Sequence, residues 1–161
     1  MLAMYLDALS FLEDERDAWR PYEALAELTD DQLARPIDGA HGWSGRDLIA
    51  HMVGWHELTL EVARELAVDE TSRAQERIDR EWEARGDAWN ADIIEAWSAL
   101  PMAEVRERLR TVPGELRGYM TVIPEARWLK HPTHFELFLD STVDHYDEHR
   151  PDLEAILAAG K

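Results

Sequence analysis

A chain of 161 residues with 45% apolar and 32% charged side chains is long enough to bury one sizeable core and too apolar to be a disordered polymer. Its formal charge of −17, from 34 Asp and Glu against 17 Lys and Arg, argues against nucleic acid and anionic membrane surfaces as partners. With no cysteine, disulfides, zinc-thiolate sites and a thiol nucleophile of the protein's own are excluded, so any metal must be held by nitrogen and oxygen.

In chain order, Leu2, Tyr5, Leu9, Leu12, Arg16 and Trp19 recur every three or four residues and predict one face of a first helix, kinked or ended by Pro21. TDDQ at 29–32 has capping-box spacing and starts a short turn, after which RPIDGAHG is loop. Ser44 then stands as an N-cap, with Asp47 three residues on near the positive end of the helix dipole. The helix it opens runs to about Ala67, with Leu48, His51, Met52, Trp55, Leu58 and Val62 facing inward. His56 falls off that face, and His41 and His131 fall in loops, so all three are expected in solvent; His134 adjoins a helix start.

From Asp69 to Ala99 a charged stretch, Gly86 and then DAWNADIIEAW predict a helical crossover. Met102, Val105, Leu109, Val112, Leu116, Tyr119 and Ile123 line a third bundle helix, in which Pro113-Gly114 predicts a kink or a break. RWLKHP is a connector, Thr133 a candidate N-cap, and Phe135, Phe138, Leu139, Thr142, His145 and His149 line a fourth helix. Pro151 suits the first turn of a short closing helix, DLEAIL. No segment alternates as a strand would. The expectation is all-α: a four-helix bundle in one domain over 1–161, with a long helical crossover between bundle helices two and three and a short C-terminal helix. Seven tryptophans fit a core and can also line a small-molecule pocket. No run approaches the roughly 18 apolar residues of a membrane span, and the acidic start lacks a signal peptide's pattern, so a cytoplasmic location is expected.

His145 and His149 stand four apart in DHYDEH, one helical turn, with Cβ atoms about 6 Å from each other. Histidines near a helix C-terminus also gain from the dipole, and i, i+4 pairs arise by chance. His51 adds weight, because each of the three lies on an apolar face where an unbonded ring is costly. Three imidazoles can hold one divalent ion and leave a position open for chemistry. Tyr146 occupies the place where a zincin HExxH motif carries its Glu, so peptide hydrolysis by that route is unsupported. Asp144, Asp147 and Glu148 are either orienting partners of an imidazole or solvated charges.

The segment GWSGRDLIAHMVGWHE at 42–57, followed far downstream by STVDHYDEHRPDL, resembles the DinB/YfiT superfamily of metal-binding four-helix bundles. There, one histidine of the second helix and an HxxxH pair of the last bundle helix bind a divalent metal, often zinc or nickel. The resemblance carries over to His51, His145 and His149. DAWNADIIEAW and HYDEHRPDL most resemble the ClbS/DfsB branch, which includes a colibactin self-resistance protein that hydrolyses a cyclopropane. The chain is also similar to the metal-binding domain of mycothiol-dependent maleylpyruvate isomerase, an enzyme with a further C-terminal domain.

These resemblances imply a metal-dependent enzyme that adds water or a low-molecular-weight thiol to a small electrophile, of hydrolase, thiol transferase or isomerase type. Trp55 is then a candidate substrate-binding residue and Tyr146 a candidate catalytic one, although plain core is the commoner place for a Trp or Tyr whose polar tip is satisfied. The alternatives are a metal-containing binding or sequestration protein without turnover, and a helical interaction module whose histidines bind nothing. The expected partner is a small molecule, and a homodimer is open.

Overall fold

Asp7 starts the first helix: its carboxylate accepts the amide and the hydroxyl of Ser10, and helix α1 runs Ala8–Trp19. The computed structural model describes residues 5–161. The buried stripe of α1 is Phe11, Glu15 and Trp19, whereas Leu9 is 65% exposed, contrary to expectation; Leu2 lies outside the described residues. A carboxylate in mid-stripe interrupts the apolar period, and Glu15 is tolerated there because Arg117 pairs with it at 2.5 Å. Pro21 ends α1 and sits in the first turn of a 3-10 segment, Arg20–Glu27. Thr29 and Gln32 form the expected capping box at the start of α2, Asp30–Ala34.

Ser44 and Asp47 form a second reciprocal capping box, and α3 runs Gly45–Leu66. Every residue from Leu48 to Gly54 is buried, because α3 is ringed by its neighbours. These are α2, α4 (Arg73–Arg85), α5 (Asp87–Ser98), α6 (Met102–Val122), α7 (Pro132–Ser141) and α9 (Arg150–Ala159). Gly54 permits the approach of α5, since a Cβ there would lie 2.6 Å from Ile93 Cγ2. The crossover is α4 and α5, joined at Gly86, whose φ of +51° favours glycine. Helix α6 continues through the buried Pro113.

The fourth bundle helix is not one helix. It stops at Thr142, where φ −123° and ψ −105° leave the helical region, and resumes as α8, Val143–Glu148. The hydroxyls of Ser141 and Thr142 donate to the carbonyls of Leu137 and Phe138, a bonding pattern that bends helices. His149 joins α8 to α9, whose first turn holds Pro151 as expected. The N-cap of α7 is His131 rather than Thr133: its Nδ1 accepts the His134 amide. Phe11, Trp128, Phe135 and Phe138 pack edge-to-face within the core. Among the described residues there is no strand, and no helix is long and apolar enough to cross a membrane.

Candidate metal centre

The capping box that fixes the start of α3 also fixes His51 two turns inside the bundle, while the break at Thr142 re-aims the chain that carries His145 and His149. The three imidazoles meet there: Nε2 of His51 lies 2.9 Å from Nε2 of His145 and 3.1 Å from Nε2 of His149. One ligand atom from each lies within 4.8 Å of the others. Nitrogens bound at about 2.0–2.1 Å to one tetrahedral ion stand about 3.3 Å apart, so the cluster matches the edge of such a site.

Protonation states sharpen the fit. Burial first, then the neighbouring His149, pushes the pKa of His51 down to about 4. Burial, with the other rings behind it, pushes His145 down to about 2. Nδ1 of His149 donates to Asp152 at 2.9 Å, which leaves a lone pair on its Nε2. One hydrogen on His51 Nε2 cannot bond both neighbours in line, and Nδ1 of His51 and of His145 have no partner. A cation where the three Nε2 atoms converge replaces the contact between their lone pairs and leaves the hydrogens of His51 and His145 on Nδ1, so the residues present fit a divalent ion. The ring of Trp43 stacks on His149 at 5.5 Å and 23° and lies 5.0 Å from His51, closing one side of the cluster.

Asp152 is the orienting carboxylate, and neither Asp144, Asp147 nor Glu148 bonds an imidazole. Its burial at 3% exposure beside a ligand-type histidine makes it the part of the site that sequence reading missed; the i, i+3 spacing in HRPD is the signal that points to it. Its other oxygen accepts from Nδ1 of His41, whose ring is otherwise exposed.

The histidines open on a cavity of about 650 Å3. Its walls are α3, with His51 and Trp55, the crossover helices α4 and α5, and the α7–α8 segment. Trp55 stands on the wall, its indole donating to Asn90 at 2.7 Å and packed edge-on to Trp82 and Trp89. Tyr146 does not line the cavity. Its ring points into the core beside Trp19 and Tyr22, and its hydroxyl donates to Glu15 at 2.8 Å and accepts from His56 Nε2 at 2.7 Å. His56 is wholly buried rather than solvated, and burial drives its pKa down to about 3. His131 is half-buried and stacks on His134, which is buried and donates from Nδ1 to the Arg127 carbonyl; both are structural.

An all-helical bundle with a buried three-histidine cluster at the floor of a cavity defines a class: helical proteins with a possible metal site. The chain belongs to the family described as the Mycothiol maleylpyruvate isomerase N-terminal domain, whose profile matches residues 12–136. That family is part of the DinB/YfiT-like metal-binding helical superfamily. His51 lies within the matched stretch and His145 and His149 beyond it. No curated protein and no solved structure matches the chain.

Proposed function

We propose that His51, His145 and His149 hold one divalent ion, zinc or nickel, and that the protein is an enzyme adding water or a low-molecular-weight thiol to a small electrophile. The observation that carries this reading is the convergence of three Nε2 atoms, two from buried histidines and one from the half-buried His149 braced by Asp152, at the wall of a cavity large enough for a small molecule. Bound there, such an ion supplies Lewis acidity that lowers the pKa of a water or thiol toward neutrality. The chain's own residues do the rest. Asp152 keeps the lone pair of His149 aimed inward, Trp43 screens the cluster from solvent, and Trp55 offers a flat apolar wall. The similarity to the ClbS/DfsB branch favours water as the nucleophile, and the isomerase named in the family's description favours a thiol.

Metal analysis of protein purified without an affinity tag should find about one ion per chain. His51→Ala should abolish stoichiometric binding, and unchanged stoichiometry and affinity would remove the site. Turnover of epoxides, cyclopropanes or maleylpyruvate by the loaded form, absent from the apo form, distinguishes enzyme from sequestration protein; one equivalent captured without a second turnover supports the latter.

A further inference from the structure

The cavity carries a charge pattern that the metal reading leaves unexplained. Six carboxylates face it, Asp79, Asp87, Glu136, Asp140, Asp144 and Glu148, and no Lys or Arg does. Elsewhere on the molecule arginines are paired with acids, yet none of these six forms an ion pair among the described residues. They crowd one another. Burial, together with Glu136, Asp144 and Glu148, raises the pKa of Asp140 to about 6.

A second observation is independent of charge. Gln75, 5% exposed, lies on the cavity wall with its Nε2 donated to Asp79 at 3.0 Å, while its Oε1 has no hydrogen-bond partner. A buried acceptor left alone is costly, and a ligand N–H is what would satisfy it. The same cavity is lined by Trp55 and Trp82, ring centroids 5.8 Å apart at 76°, with Trp82 44% exposed. A large exposed indole in an acidic cleft has a use if its π face receives a cation.

We infer that this cavity takes a small organic cation, an amine or ammonium compound with an apolar portion, its charged nitrogen among the carboxylates and its apolar part against Trp55 and Trp82. The inference rests on the metal reading only in making this ligand the substrate. It separates the chain from dicarboxylate substrates such as maleylpyruvate and from carboxylate-bearing thiols such as glutathione, both of which these acids repel.

The test is binding to the full chain loaded with zinc, using isosteric probes of different charge: phenethylamine, phenethyl alcohol and 3-phenylpropanoate. Binding is followed by calorimetry and by the indole N–H signals of tryptophan in nitrogen-15 spectra. The amine should bind at least about tenfold tighter than the alcohol, shift the Trp55 and Trp82 indoles, and weaken as salt rises, while the propanoate should not bind measurably. Glu136→Gln with Asp140→Asn, both exposed positions, should erase most of the preference. Gln75→Met, similar in volume, should weaken amine binding at least about threefold by removing the lone acceptor. Equal binding of amine and alcohol, preference for the propanoate, or no binding of any probe overturns the inference. So does displacement of the amine by millimolar calcium at a site lost in the double variant, which would assign the acids to an inorganic cation. Zinc stoichiometry is measured in the same samples: a chain that binds zinc and ignores amines refutes this inference alone, and one that binds amines without zinc refutes the metal reading alone.

Discussion

Replacing Asp152 by alanine isolates what a single buried carboxylate contributes to the histidine cluster. Asp152 bonds no other imidazole of the triad than His149, whose Nδ1 it holds at 2.9 Å, so the substitution keeps all three candidate ligands and removes the brace of one. Without it the His149 ring is free to carry its hydrogen on Nε2 and to rotate within the space the carboxylate vacates. Carboxylate partners of metal-bound histidines are worth about 10–100-fold in affinity, or about 1.4–2.7 kcal/mol. The apo protein should lose a charge-assisted bond as well, about 1.5–3 kcal/mol. The second bond, to a His41 ring that is 81% exposed, adds little to that figure. Asp152→Asn keeps the shape and one acceptor and should fall between wild type and alanine. Competition for zinc against a chromophoric chelator, with urea unfolding of the apo forms, measures both effects. If Asp152→Ala binds zinc within about twofold of wild type while His51→Ala does not bind it, the orienting role assigned to Asp152 is wrong.

Tyr146→Phe should destabilise the fold by about 1–3 kcal/mol without changing zinc stoichiometry, because it strands His56 Nε2 in the core and takes from Glu15 one of its donors, leaving Arg117; a stable variant with slowed turnover would instead place the hydroxyl in the chemistry. Gly54→Ala should cost about 1–3 kcal/mol in urea unfolding by driving a methyl into Ile93, and a neutral result would refute the close packing of α5 on Gly54. For acid stability the sign follows from His56: its folded pKa of about 3 lies below the ordinary 6.5, so below pH 6.5 the unfolded chain takes a proton that the folded one refuses. The stability tied to a neutral His56 is complete above that pH and drains at up to about 1.4 kcal/mol per unit as pH falls. His51 and His145 act in the same direction and Asp140 in the opposite one, and all three remain in the comparison with His56→Gln, whose acid limb should be shallower; an equal slope refutes the assignment.

What the sequence conceals about this fold has identifiable causes. A one-stripe reading suits a helix with a wet side, and α3 has none from Leu48 to Gly54, so His56, just beyond and off the apolar stripe, reads as solvated although its ring is enclosed. Glu15 and His56 are intelligible only together with Tyr146 and Arg117, residues about 90 or more positions away, and no local pattern announces such a network. The Ser141-Thr142 pair was a visible warning of a bent helix. His131 as a cap was not, since imidazole lies outside the usual capping set. By contrast the start of α3, the inward direction of His51 and the turn spacing of His145 and His149 were all legible, because each depends on a capping motif or on helical spacing within a few residues.

His51 and His149 are 98 residues apart along a chain that has no cysteine. An ion shared between them would therefore be a cross-link, fastening the middle of the sequence to its last two helical segments. Because the unfolded chain cannot hold these histidines together, the ion would stabilise by mass action, by about 2.7 kcal/mol when free metal is about 100 times its Kd, a strength comparable with a disulfide. The control differs from that of a disulfide, since the clasp opens to chelation and acid rather than to reductant.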